Sequence, residues 1–513
     1  MAAYTALAGV VTWPLVLDPG RTVVGGARTD VHNALWSYWF VAEGLRDGHF
    51  PVQTALLNHP AGGRILVADP LNAALAAPLT LAGGPALAYS VTVLVHLALG
   101  AWFADAAGRA LGGRGWIAGV AYAASPIVLS HLQNGSSEAA AVAWLPLAAW
   151  LGVRALEGGV GRVLAAGVAL ALAALGGGWY AGIGAFVLVG ALALCERGGR
   201  RLWPALFVGA ALCLPVAYAY HALAAAPDSL VDLKTPESLA RLRRTLGAAD
   251  PRIFWTPGDF RSPDFSRLEQ NASDLVHTAY LGVVLVVLAL WRGRRPALWL
   301  AVAACLLLAM GPVLVVGGGP VAWHGRSLPL PFAALEGLPG FAGLSLVYRI
   351  ATLAPLALGL LADRAPGWLA PLVLAETLSL SPARGLPALS PAVPTAALTA
   401  LAAAPEGAAV SLPAGFARTR LYEQSVHGHP LTASLNSGMN RAGLRVLAAC
   451  RKVVDRRAEW ADVVRIAQEE QVRYVVTHHG VPIEATFQTS MRALKAHATV
   501  LAEDEAVRVY ALY

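Results

Sequence analysis

Few side chains in this sequence can do acid–base or ionic chemistry, and their placement is uneven. Asp30 stands in "GGARTDVHNALWSYWF" (25–40), just after the first apolar run and just before a string of large aromatics. His131, Gln133, Asn134 and Glu138 share one polar turn, "HLQNGSSE" (131–138), at the end of another apolar run. His59 and Asp69 flank "PAGGRILV", and Arg349 lies in "LVYRIATL", where a late apolar run begins. A carboxylate at Asp30 has three uses. It can cap the helix that follows, a role Thr29 can share; it can be solvated; or it can take a proton from a substrate hydroxyl in a low-dielectric setting. Gln133 and Asn134 read as a solvated turn, with Ser136 and Ser137 helping to cap the next helix. His131 and Glu138 can line a site or share a metal with Asp30. Arg349 either snorkels to lipid headgroups or grips a phosphate through its planar donor fork. Asp69 and His59 can equally cap or solvate a surface helix.

What must position these residues follows from composition. Hydrophobic residues make up 57% of the 513 and charged residues only 13%, with a mean hydropathy of +0.56. Soluble domains carry about 25% charged residues, so this chain places its apolar faces in lipid. The net charge of +7 is spread over short arginine clusters between apolar runs, which marks membrane loops rather than a nucleic-acid surface. Cys195, Cys213, Cys305 and Cys450 have no paired spacing and read as packing residues. No A-x-A-like cleavage site follows the first run, so it is expected to be a membrane helix rather than a removed signal.

A spanning helix needs about 20 mostly apolar residues. The expected spans lie near 3–17, 86–106, 116–130, 139–153, 163–177, 180–195, 203–222, 274–291, 297–316, 347–363 and 368–380, about eleven in all. With the N-terminus inside, the inner turns carry Arg109, Arg114, Arg154, Arg162, Arg197, Arg200, Arg201, Arg292, Arg294, Arg295 and Arg364, as the positive-inside rule requires. A further span at 70–83 would invert that pattern, so 70–83 is expected to lie on the membrane surface. The aromatic helix after Asp30 is likewise expected in the interface plane. Loop 223–273, with seven Lys/Arg and seven Asp/Glu, then faces outward together with Asp30, the turns at 131–138 and 176–180, segment 317–346 and the tail.

The tail changes character after a Pro/Ala-rich linker. "AAVSLP", "VRYVVTHH" and "AEDEAVRVYALY" alternate like strands, and "ADVVRIAQEEQ" has helical spacing. Residues 1–380 are therefore expected to form a transmembrane domain, its first outer loop at 18–85 carrying surface helices. Residues 381–513 are expected to form a small α/β domain outside the membrane. His427 and His429 in "HGHP" and His478 and His479 in "VTHHG" lack zinc-ligand spacing. They read as surface or packing histidines, with "HGHP" near the mouth of the site. No phosphate-binding loop, dinucleotide fingerprint or nucleophile elbow is present, which removes support for nucleotide-driven pumping and serine hydrolysis.

The order of segments resembles a known superfamily. "EGLRDGHFP", "LNHPAGGRIL", "SPIVLSHLQNG", "TAYLGVVLVVLALWRGRRPAL", "LPLPFAALEGLPGFAGLSLVYRIATL" and "YEQSVHGHPLTASLNSG" succeed one another as in the GT-C polytopic membrane glycosyltransferases, bacterial branch, with a C-terminal extracytoplasmic domain. The resemblance implies transfer of a sugar from a polyprenyl-phosphate donor to a lipid, glycan or protein acceptor, at the outer face of a bacterial cytoplasmic membrane. It implies Asp30 as general base or as a carboxylate associated with a divalent metal, Mg or Mn. It also implies Arg349 on the donor phosphate; His131, Glu138, His59 and Asp69, by their residue types and their place in the same outer turns, are expected to bind substrate. No second acidic residue follows Asp30, a departure from relatives with an acidic pair. The competing classes are a transporter or flippase and a non-catalytic protein of envelope glycan assembly. The first usually shows repeated halves and mid-membrane charges, and neither stands out in this sequence.

Overall fold

A computed structural model describes residues 1–513 except 28, 231–236, 238–242, 244–247, 260–274, 318, 339–340, 342–343, 381–385, 415–417, 436–437 and 482. Much of loop 223–273 and the start of the expected linker therefore lie outside the described residues.

The helices, in chain order, are α1 (Ala2–Val11), α2 (Val31–Arg46), α3 (Pro70–Leu75), α4 (Ala77–Ala110), α5 (Trp116–Ala123), α6 (Pro126–Gln133), α7 (Ser137–Ala140), α8 (Trp144–Ala155), α9 (Val160–Gly176), α10 (Gly178–Cys195), α11 (Trp203–Ala224), α12 (Val283–Arg292), α13 (Pro296–Ala309), α14 (Leu353–Ala362) and α15 (Ala370–Leu380). Each expected span contains helix. Among the described residues, three stretches are long and apolar enough to cross a membrane alone: Ala77–Ala110, Gly178–Cys195 and Gly199–Ala224. Others are shorter than expected for identifiable reasons. The span at 116–130 is two helices, because Pro126 has no N–H and holds Ser125 extended (φ −62°, ψ 148°). The span at 274–291 becomes helical only at Val283, where the Glu376 carboxylate accepts the N–H groups of Val283 (2.7 Å) and Val284 (2.9 Å). The expected surface segment 70–83 runs on into the next span, and the helix bends at Gly84, just before Pro85.

Phe207, Leu214, Tyr218, Leu290 and Val287 are exposed large apolar residues on α11 and α12, as lipid-facing helices require. Inside, small residues let helices close up. A Cβ on Gly167 of α9 would lie 2.8 Å from Val208 Cβ of α11, so only glycine fits this crossing.

Past α15 come β2 (Leu389–Pro391), β3 (Ala408–Leu412), β4 (Val472–His478), β5 (Thr499–Glu503) and β6 (Val507–Ala511), with helices Thr419–His427, Arg441–Val454, Trp460–Glu469 and Ala485–His497. The sheet order is β5-β6-β4-β3, with β3 parallel to β4 and the other pairs antiparallel. Side chains alternate between its faces. Val410, Val475 and Tyr510 pack under the helices, whereas Ala409, Tyr474, Val476 and Val509 join the core shared with the membrane helices. This α/β region is therefore seated on the helical part. Strand β1 (Thr22–Val24) pairs antiparallel with β2, and segment 56–59 exchanges backbone bonds with Leu431 and Ala433.

Helix α2 departs from expectation. Its aromatic face is covered by protein: Trp36, Tyr38 and Phe40 are buried, and Trp36 Nε1 donates to Gln424 Oε1 at 2.8 Å. Its aromatics fill a protein core rather than an interface belt. His427 and His429 are buried packing histidines, one of the two readings the sequence allows, and the His429 ring meets the carbonyls of Gly407 (2.9 Å) and Leu401 (2.8 Å). His478 Nε2 lies 2.5 Å from Glu423 Oε1. Cys213, Cys305 and Cys450 are buried, Cys195 is exposed, and all four are free thiols.

The turn after α6 crosses the start of α2 at very close range. A Cβ on Gly135, whose φ is +62°, would lie 2.4 Å from the Val31 nitrogen. Gly135→Ala should therefore cost about 2–4 kcal/mol. A fall in the thermal midpoint of the purified protein is the expected readout.

Candidate functional site

Asp30 is set by three backbone anchors. Gly25 N–H donates to Ala388 O (2.8 Å), Gly26 N–H to Gln133 O (2.9 Å) and Asp30 N–H to Asn134 O (3.0 Å). Asp30 occupies the N-cap position of α2, yet its side chain makes no capping bond. Thr29 does not cap either; its hydroxyl donates to Gly26 O at 2.7 Å. The Asp30 carboxylate instead lies 3.0 Å from Arg418 Nη2, both side chains 31% exposed. It is reachable from outside and is not consumed by the helix.

The turn at 131–138 is not a solvated one. Gln133 and Asn134 are buried and act as substitute peptide groups. Gln133 Oε1 accepts Ala388 N–H at 2.7 Å. Asn134 Nδ2 donates to Val276 O, and its Oδ1 accepts Val276 N–H, both at 2.7 Å. Ser136 and Ser137 cap nothing through their side chains, and Ser136 Oγ meets Arg349 Nη2 at 3.2 Å.

Arg349 does not snorkel to headgroups. It sits on the 3₁₀ turn Val347–Thr352, is 7% exposed, and its Nη1 lies 3.3 Å from Glu138 Oε1. The turn is braced from several sides: Tyr348 Oη to His277 Nδ1 (2.9 Å), and Tyr180 Oη accepting the N–H groups of Ser345 (3.1 Å) and Leu346 (2.9 Å). His131 is buried in a bracing role, its Nε2 3.3 Å from Thr352 Oγ1. A cleft at this level is lined by His131, Glu138, Tyr180, Arg349 and Thr352.

Burial pushes the Glu138 carboxyl above its ordinary range; Arg349 opposes the rise and the Asp30 charge adds to it. These three groups therefore share one electrostatic field, although they come from widely separated segments. Asp69 is fully buried behind them. Burial raises its carboxyl to about 8, Glu138 adds to the rise, and the Asn72 side chain opposes it. Asp69 caps α3 through Asn72 N–H (3.4 Å), and Asn72 Nδ2 bridges Asp69 (2.6 Å) to Gly176 O (2.7 Å). Its capping reading holds, and it is too enclosed to meet substrate directly. His59 is brought elsewhere. Its backbone N–H donates to Leu431 O, burial lowers the ring's basicity, and Glu470 of the α/β region opposes that fall.

Reading residues along the chain does not single out Arg418, Tyr348 or His277. Arg418 lies in a tail segment without periodic pattern, and only the packing of the tail against α2 places it over Asp30. A divalent cation does not fit the described donor set. Asp30 and Glu138 are each engaged by an arginine, and among the described residues no three ligating side chains converge.

No family model and no curated protein matches this sequence. Solved structures do. Arabinofuranosyltransferase AftD from Mycobacteria aligns over 100% of this chain and 39% of its own, with a TM-score of 0.53 and 17% identity. The Archaeoglobus fulgidus oligosaccharyltransferase in complex with Zn and sulfate aligns over 93% and 67%, with a TM-score of 0.51 and 14% identity. The chain thus spans about two fifths of AftD's length. These neighbours are GT-C glycosyltransferases, and the fold of this chain is the GT-C membrane fold.

The Asp69 carboxyl makes a pH prediction. The unfolded chain loses this proton near 3.8 and the folded chain keeps it to about 8. Its contribution to stability is complete below 3.8, declines across that window and then levels off. Thermal midpoints should show a shallower decline from pH 5 to 8 for Asp69→Asn than for the wild type. Equal slopes would remove Asp69 as the titrating group.

Proposed function

We propose that this protein is a membrane glycosyltransferase. In this reading it moves one sugar from a polyprenyl-phosphate donor to a lipid, glycan or protein acceptor at the outer face of a bacterial cytoplasmic membrane. About eleven spans would carry the site, and residues 381–513 would form an extracytoplasmic domain above it. The carrying observation is the uncapped, accessible Asp30 carboxylate in one electrostatic field with Glu138 and Arg349, on a GT-C fold.

The chemistry assigns each group a role. The acceptor hydroxyl attacks the anomeric carbon and its proton passes to the Asp30 carboxylate. The bond from that carbon to the phosphate oxygen breaks, and polyprenyl phosphate leaves with the electron pair. Arg349, pre-oriented by Glu138 and Ser136, supplies two N–H donors to the phosphate as charge grows there. His131 holds Thr352 and through it the Arg349 turn. Arg418 must release Asp30, or stay beside it as a second phosphate ligand, when the acceptor enters. No step is routed through a metal ion.

The test uses purified protein in liposomes with a panel of polyprenyl-phosphate sugars and an envelope acceptor extract. Asp30→Asn should lower transfer about 10²–10⁴-fold while the fold is retained. Transfer that survives would move the base to Glu138, since Asp69 is enclosed. No transfer by the wild type across the panel would favour the non-catalytic envelope protein, and lipid translocation without transfer would favour the flippase.

A further inference from the structure

The opposite end of the helical part holds a second cleft. It is lined by Arg292, Arg294, Arg295 and Arg364, with Leu298, Leu360 and Leu361. The arginines come from two places: the end of α12 with its turn to α13, and the second residue beyond α14. Helix α14 runs from the Arg349 turn to Arg364, and its ten residues separate the two ends by on the order of 15 Å.

The charge there is poorly compensated. Glu196 engages Arg295, both Nη1 distances being 3.1 Å. Asp363 is spent on the backbone N–H groups of Gly115 and Ala118, and Asp105 on Arg109. Among the described residues no carboxylate pairs with Arg292, Arg294 or Arg364. Arg292 lies over the Trp291 ring (3.9 Å), and its Nε is buried without a hydrogen-bond partner. A buried guanidinium N–H without an acceptor is costly, so an acceptor belongs in this cleft. The wall beside it is leucine, and Leu290 and Trp291, 67% and 55% exposed, continue that surface along α12.

We propose that this cleft binds the headgroup of an anionic phospholipid, its phosphate held by the arginines that no carboxylate engages and its chains lying along the leucine wall. Guanidinium forks match phosphate oxygens, and basic pockets between membrane helices take such headgroups. A soluble phosphate would satisfy the arginines but would have no use for the leucines.

The proposal is tested by native mass spectrometry of the purified full chain titrated with dioleoylphosphatidylglycerol or dioleoylphosphatidylcholine. The wild type should retain the anionic lipid in preference to the zwitterionic one. Arg292→Gln with Arg294→Gln leaves the Arg295 pair and Arg364 intact and should weaken retention roughly tenfold or more. If that variant loses its melting transition, Arg292→Lys with Arg294→Lys keeps the charge; it should weaken retention less but still measurably, by losing the planar fork. Equal retention by the wild type and by whichever variant folds would overturn the site. Millimolar inorganic phosphate should not displace the lipid; displacement would overturn the lipid assignment in favour of a soluble anion.

Discussion

At one rim of the helical part, backbone polar groups far apart in sequence find their partners in the turn Gln133–Asn134. Its two carbonyls and two amide side chains reach Gly26, Asp30, Val276 and Ala388, which belong to three different segments. Away from water each such group left unpaired costs about 1–3 kcal/mol. The turn therefore acts as a junction, and Gly135 lets the start of α2 lie directly against it. Asp30 is placed by this junction rather than by its own helix.

The α/β region depends on the same logic. Gln424 accepts from Trp36 and donates to the carbonyls of Leu56 (2.6 Å) and His429 (3.0 Å), so one amide ties α2, segment 56–59 and the tail together. With β1 paired to β2, and one face of the four-stranded sheet in the shared core, the tail forms a roof over the rim. Arg418 over Asp30 is the point where that roof touches the proposed chemistry. On this view the α/β region orders the acceptor side, while Arg349 and Glu138, set in the helical part, order the donor side.

Much of the architecture was legible in the sequence because it rests on composition and period. Apolar runs, arginine turns and three of the four sheet strands follow local rules, and each expected span contains helix. The rim was harder. Gln133 and Asn134 have the residue types of a solvated turn, and their partners lie 255 and 142 residues away, where no local rule can reach. For Arg349 the sequence leaves snorkelling and phosphate binding both open, because its partner Glu138 is 211 residues distant. The burial of the α2 aromatics is not legible locally, because aromatics that fill a core and aromatics that sit in a headgroup layer have the same composition; only the tail folded over them shows that they are covered. The breaks at Pro126 and Val283 were written locally, but a rule counting apolar residues passes over them.

The proposed function puts the donor phosphate on Arg349 and acceptor activation on Asp30, two groups linked electrostatically through Glu138. The most direct test is a cryo-EM structure of the full chain with undecaprenyl phosphate bound. The account predicts the phosphate within hydrogen-bond reach of the Arg349 guanidinium, with the Asp30 carboxylate facing the position a sugar would occupy. A lipid phosphate held elsewhere, with Arg349 still paired only to Glu138, would contradict it.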